Sequence, residues 1–141
     1  MSRVFWDSML FIYLLDGEPG YSERAQYLLE RSMERGDTLY TSYVVLGEVL
    51  VGAARSGDPN KPRQVRRQLD SLGFSYLPFD ENAVFAFCQL RARPGVQVAD
   101  AIHLACAASA GIDLFLTNDR QLTKLHVPGI QFIAEFNTPL L

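Results

Sequence analysis

Apolar residues along this chain recur in short blocks whose spacing switches repeatedly between extended and helical patterns. Arg3-Val4-Phe5-Trp6 predicts a short strand, and the apolar run Met9 to Leu15 behind Asp7-Ser8 predicts a helix. Gly17 to Gly20 breaks the chain, and from Ser22 to Arg35 the residues Ala25, Leu28, Leu29 and Met33 return at helical spacing, closed by Gly36. Thr38 to Thr41 predicts a second strand, and Ser42 caps a helix through Val45, Leu46, Val49, Leu50 and Ala53. The polar stretch from Arg55 to Lys61 is a loop, with Pro62 suited to the first turn of another helix. Phe74 to Phe79 predicts a third strand, and Asp80 caps a helix reaching Leu90. Pro94-Gly95 interrupts, Val98 to Ala110 forms an alanine-rich helix ended by Gly111, and Leu114 to Leu116 is a fully apolar strand. Asn118 or Asp119 caps a last short helix before a final strand at Gln131 to Ile133.

Strands alternating with helices in this order make an α/β chain with a parallel sheet and helices on both faces. With 141 residues, no repeat and no linker, one domain over residues 1–141 is expected. In such folds ligands bind at the carboxyl ends of the strands. Asp7 and Asp119 each follow a strand directly, so both belong to that edge.

Composition changes little. Hydrophobic residues make up 48% and charged residues 21% of the chain, an ordinary globular balance. The seven-residue run Met9 to Leu15 is far shorter than the roughly 20 residues needed to cross a bilayer, and a cytoplasmic location is expected. Cys88 and Cys106 belong to no CxxC pair, and both are expected as buried free thiols. The formal net charge of −3 disfavours nonspecific nucleic-acid binding. Two bound divalent cations would nevertheless make the total positive, so this sign decides little.

The acidic residues carry more information. Asp7 and Asp119 are each explained by helix capping. Glu48 lies within Tyr43 to Val51, and Asp100 within Val96 to Ile102, both almost wholly apolar stretches. Neither has a Lys or Arg at i±3 or i±4, so helical ion pairing does not account for them. A carboxylate in such company is exposed, paired or holding a metal, because burying a lone charge costs several kcal/mol. Clustered carboxylates suit Mg²⁺ or Mn²⁺, whose oxygen ligands include waters and substrate phosphate.

Four stretches in order resemble the PIN-domain family, and in size and layout its VapC-type toxin ribonucleases. They are Val4-Phe5-Trp6-Asp7-Ser8, Thr41 to Val49, Val98 to Ala105, and Leu116-Thr117-Asn118-Asp119. The resemblance implies a three-layer α/β/α sandwich with a central, mainly parallel sheet of four to five strands. It implies a Mg²⁺- or Mn²⁺-dependent endoribonuclease in which Asp7, Glu48, Asp100 and Asp119 are catalytic, metal-binding residues. It further implies a cognate antitoxin protein and a homodimer. Thr117 and Ser8 match positions where the family often carries a hydroxyl, and supporting roles near the metal are expected of them. Met9 departs from the family, where Asn commonly follows the hydroxyl residue. A PIN-like module that binds RNA or protein without cleaving is the alternative. A small-molecule phosphohydrolase is a third reading, which no phosphate-cradling glycine loop supports.

Several basic residues could meet an RNA phosphate. Arg91 and Arg93 precede the loop leading to Asp100, and Arg120 follows Asp119. Arg63, Arg66 and Arg67 form a helical stripe behind Arg55 and Lys61, expected as a solvated face slightly more than as a phosphate site. His103, one turn after Asp100, is expected to pack or to support the site, and His126 to lie on the surface. The aromatics Phe74, Tyr76, Phe79, Phe85 and Phe87 are expected in the core or in a dimer interface.

Overall fold

The computed structural model describes residues 1–139. Its strands are β1 (Arg3–Trp6), β2 (Thr38–Ser42), β3 (Ser75–Leu77), β4 (Ile112–Thr117) and β5 (Ile130–Glu135). Its helices are α1 (Ser8–Asp16), α2 (Tyr21–Arg35), α3 (Tyr43–Arg55), α4 (Lys61–Asp70), α5 (Glu81–Arg91) and α6 (Val98–Ala110), with a 3₁₀ turn at Leu122–Lys124. The five strands form one parallel sheet in the order β3-β2-β1-β4-β5, between helical layers.

β1 takes the centre because Val4, Phe5 and Trp6 are all fully buried, so the strand must be covered on both faces. Phe5 stacks on Phe115 of β4 at 4.8 Å between ring centroids, locking the two inner strands together. On the other side of the strand, Trp6, Phe11 and Phe74 form a trio of tilted and edge-on rings. Side-chain caps start the helices where expected: Ser42 accepts from Val45 N at 3.0 Å and Asp80 from Ala83 N at 3.1 Å. Gly36 and Gly111 close α2 and α6 in the left-handed conformation.

From β1 the chain moves outward through β2 to β3, then crosses back to β4 and continues to β5 on the other side. The direction of winding therefore reverses between β1 and β4, the place where open parallel sheets leave a crevice at their carboxyl edge. Asp7 follows β1 and Asp119 follows β4, one on each side of this crevice.

Some expectations need correction. The third strand is only three residues long, because Gly73 and Phe74 lead into it outside the ladder and Pro78 ends it. Neither Asn118 nor Asp119 caps a helix: the 3₁₀ turn starts after Gln121 without a side-chain cap, and Asp119 Oδ1 instead accepts from Gln121 N at 2.8 Å. Cys106 is buried, but Cys88 is exposed. Phe74 joins the core, whereas Phe79 and Phe85 lie at the surface, as does Val84. On α5 only Ala83 and Leu90 are buried, and Val84, Phe85 and Cys88 turn outward. Among the described residues, no helix is long and apolar enough to cross a membrane.

Candidate active site

Asp7 is the most constrained of the four acids. Its backbone N–H donates to Leu116 O at 3.0 Å, extending the β1–β4 ladder by one step. Its carboxylate is 6% exposed and accepts from both sides. Oδ1 takes the Ser8 backbone N–H at 2.8 Å, and Oδ2 takes the Thr117 hydroxyl at 2.8 Å. The same Thr117 oxygen accepts from Asp119 N at 3.1 Å, so one buried hydroxyl joins the two acids across the crevice. Asp7 thus has the local capping role its position suggests and a long-range partner as well. Ser8 contributes its main chain to this arrangement, and no contact of its hydroxyl is found.

Glu48 and Asp100 reach the same edge from helices. Asp100 sits half-buried in the first turn of α6, where the helix dipole favours a negative charge. Its carboxyl is nonetheless pushed above the usual range, first by burial and then by the charges of Asp7 and Asp119, with a smaller push from Glu48 and an opposing pull from His103. Asp100 therefore lies within electrostatic reach of the other three acids. His103, buried one turn further along α6, brings Nε2 to 2.5 Å from Glu48 Oε1. This contact has ion-pair reach without hydrogen-bond alignment, and on the other side of the ring His103 Nδ1 is buried without a hydrogen-bond partner among the described residues.

The arrangement fits a small divalent cation by its chemistry. The donors are all carboxylate oxygens, and Asp100 bears the negative charge of Asp7, Asp119 and Glu48 around it. No three Asp, Glu, His or Cys side chains among the described residues are gathered into a ready-made cage. Mg²⁺ tolerates this, since it usually keeps several waters and takes only one or two carboxylates directly.

The arginines expected near the substrate are tied into the protein. Arg91 Nη1 donates to Val96 O, and Arg93 Nη1 donates to His126 O at 2.7 Å, bracing the loop that leads to α6. Arg120 Nε donates to Glu135 Oε2 at 2.9 Å, with its side chain 82% exposed. On α4, Arg66 donates to Asp70 at 3.0 Å and lies over the Tyr76 ring. The side chains of Arg55, Lys61, Arg63 and Arg67 form no hydrogen bond or ion pair among the described residues. His126 is exposed, as expected.

A groove of about 620 Å³ opens beside Glu48 between α1, α3 and α4. Ile12, Leu15 and Val65 line it together with Arg55 and Lys61. Sequence reasoning singled out the charges here but not the groove, which exists only once α1 and α4 pack on either side of α3.

Comparisons with known proteins agree with this fold. The PIN domain family model matches residues 4–127. The chain is similar to ribonuclease VapC47 of Mycobacterium tuberculosis, at 31% identity over 121 residues, covering 84% of this chain and 86% of that protein. Among solved structures, VapBC2 of Rickettsia felis bound to a promoter DNA fragment gives a TM-score of 0.73 at 16% identity, covering 94% of this chain and 98% of that one. VapBC-5 of M. tuberculosis gives 0.63 at 23% identity, covering 96% and 99%. These structural likenesses concern the fold. The match across residues 4–127, most of the chain, shows that this chain belongs to the PIN-domain family.

Proposed function

We propose that this protein is a divalent-metal-dependent endoribonuclease and the toxin of a toxin–antitoxin pair. The observation that carries the reading is the buried Asp7 carboxylate, fixed by Thr117 at the strand edge where Asp100, Asp119 and Glu48 converge. The similarity to ribonuclease VapC47, and to VapBC structures in fold, supports the choice of RNA as substrate and an antitoxin as partner.

In this reading Asp7, Glu48, Asp100 and Asp119 would hold Mg²⁺ or Mn²⁺, which would supply an activated water and positive charge at the leaving oxygen of the phosphodiester. Asp7 acts from a preset position, because both of its oxygens are already oriented by Ser8 N and Thr117 Oγ1. Thr117 also holds the backbone of Asp119, so one hydroxyl sets the separation of two ligands. His103 Nε2 packs against Glu48 Oε1 and steers that carboxylate from the buried side. The reading includes one domain, a cytoplasmic setting and a homodimer, for which the exposed Phe79, Val84, Phe85 and Cys88 offer an apolar face.

Purified protein should cleave RNA when Mn²⁺ or Mg²⁺ is present and stop when EDTA is added. Asp7→Ala should lower the rate by at least about a hundredfold, as expected when a metal ligand is lost. Full activity in the Asp7→Ala/Asp100→Ala double variant would refute the mechanism.

A further inference from the structure

Four cations without internal partners are concentrated at one place, the α3–α4 hairpin. Arg55 ends α3, and Lys61, Arg63 and Arg67 follow on α4, all exposed. Most other basic side chains are engaged, as with Arg24 on two carbonyl oxygens, Arg35 on Asp37 and Arg120 on Glu135. In a chain of net charge −3, unspent positive charge at a single site is available for an anion.

The groove beside Glu48 connects this charge to the acidic edge. Glu48, Gly52 and Arg55 stand at i, i+4 and i+7 on α3, hence on one face, with Arg55 about 10.5 Å from Glu48 along the helix axis. Its walls are apolar on the α1 side, where Ile12 and Leu15 lie, and basic at the far end, where Arg55 and Lys61 lie. The volume of about 620 Å³ falls within the range of small-ligand sites.

Gly52 is the second observation. It occupies the interior of α3, where glycine disfavours the helix, and a Cβ built on it would meet nothing within 4 Å. No close neighbour requires glycine there. Gly52 lines the groove, so a larger side chain at this position would extend into it.

We infer that this groove is a binding subsite for single-stranded RNA flanking the cleaved bond. A nucleoside would enter between the apolar α1 wall and Gly52, and the adjoining phosphates would meet Arg55 and Lys61, with Arg63 and Arg67 extending the track along α4. The inference rests on the ribonuclease reading and adds to it the surface that holds substrate. Basic residues along a strand and an apolar slot for a base are the two parts single-stranded nucleic-acid sites combine. Asp16 also lines the groove and opposes the phosphates, so it should weaken binding rather than help it.

The test is steady-state cleavage of a mixed-sequence single-stranded oligoribonucleotide with Mn²⁺, comparing KM with kcat across salt concentrations. Gly52→Leu should fill the groove and raise KM about tenfold, while the thermal midpoint stays level or rises. Arg55→Ala/Lys61→Ala should raise KM and flatten the salt dependence of kcat/KM by about 0.7 in log–log slope for each lost phosphate contact. Asp16→Asn should lower KM. Arg31→Ala on α2, which removes a charge elsewhere, should change KM less than twofold. Wild-type protein that neither binds nor cuts RNA would overturn the ribonuclease reading and this site with it. Cleavage by wild type together with unchanged KM and salt slope in Gly52→Leu and Arg55→Ala/Lys61→Ala would overturn the groove alone. Unchanged KM with loss of inhibition by a protein partner would also overturn it, assigning the groove to protein.

Discussion

The hydroxyl of Thr117 donates to the Asp7 carboxylate at 2.8 Å while accepting the backbone N–H of Asp119 at 3.1 Å, in a pocket that leaves Thr117 no exposed surface. Removing that oxygen leaves two buried groups short of a partner. Thr117→Val keeps the shape and loses the hydroxyl, and it should destabilise the protein by about 1–3 kcal/mol. It should also reduce cleavage, because the Asp7 carboxylate loses the donor that orients it. Thr117→Ser should restore much of both. Thermal melts and rates on the same preparations check this, and a Val variant with wild-type activity would refute the orienting role.

The Asp100 carboxyl is raised by burial and by its acidic neighbours, which sets the direction of a pH effect. A carboxyl whose folded pKa lies above its unfolded value favours the folded state while it is protonated. That contribution is present at acid pH and fades as pH rises through the folded pKa. Metal-free protein should therefore lose the Asp100 contribution to stability between the ordinary Asp range and the raised value. Asp100→Asn should raise the melting temperature in EDTA at neutral pH and remove this part of the pH dependence. Mn²⁺ should stabilise the wild type more than the variant. Melting curves across pH, with and without metal, measure all three effects.

His103 is buried against Glu48, with Nδ1 unpartnered, and its position is set by α6 packing rather than by solvent. His103→Ala should free the Glu48 side chain and weaken Mn²⁺ binding by about 10- to 100-fold, the usual cost of losing a group that orients a metal ligand. His103→Gln, which keeps a polar atom near Glu48, should recover part of the loss. Calorimetric titration with Mn²⁺ separates this positioning role from simple destabilisation.

Much of this site was legible from residue types alone. Glu48 and Asp100 stood out because nothing local could pair with them, and among the described residues only His103 comes within ion-pair reach of Glu48. The strand–helix order also gave the parallel sheet, since the periodicity of each block is a local property. The Thr117 bridge was less visible, because a hydroxyl near an acid says nothing about which oxygen it touches from 110 residues away. The roles of the arginines were hidden for the same reason. Whether Arg93 meets a phosphate or the His126 carbonyl depends on a loop contact 33 residues away. Cys88 was misjudged because the apolar pattern of α5 is wider than the face it buries.

Gly129 supplies a test of the fold apart from the chemistry. Its φ is +98°, and a Cβ there would come within 2.4 Å of Ala108 O, so strain and collision add. Gly129→Ala should destabilise by roughly 2–5 kcal/mol with cleavage by the remaining folded protein unchanged. Chemical denaturation gives the first quantity, and activity per folded molecule gives the second.

The central position of β1 has a consequence for synthesis of the chain. The strand emerges first, yet one of its two neighbours, β4, and the Thr117 hydroxyl come 110 residues after Asp7. At translation rates of about 5–20 residues per second, that separation is about 5–20 s. Throughout this interval Asp7 has its local Ser8 contact at most, and neither Asp100 nor Asp119 has yet been made for most of it. If Asp7, Asp100 and Asp119 act together as proposed, a nascent chain should not cut RNA until the residues through Asp119 have emerged and folded onto β1.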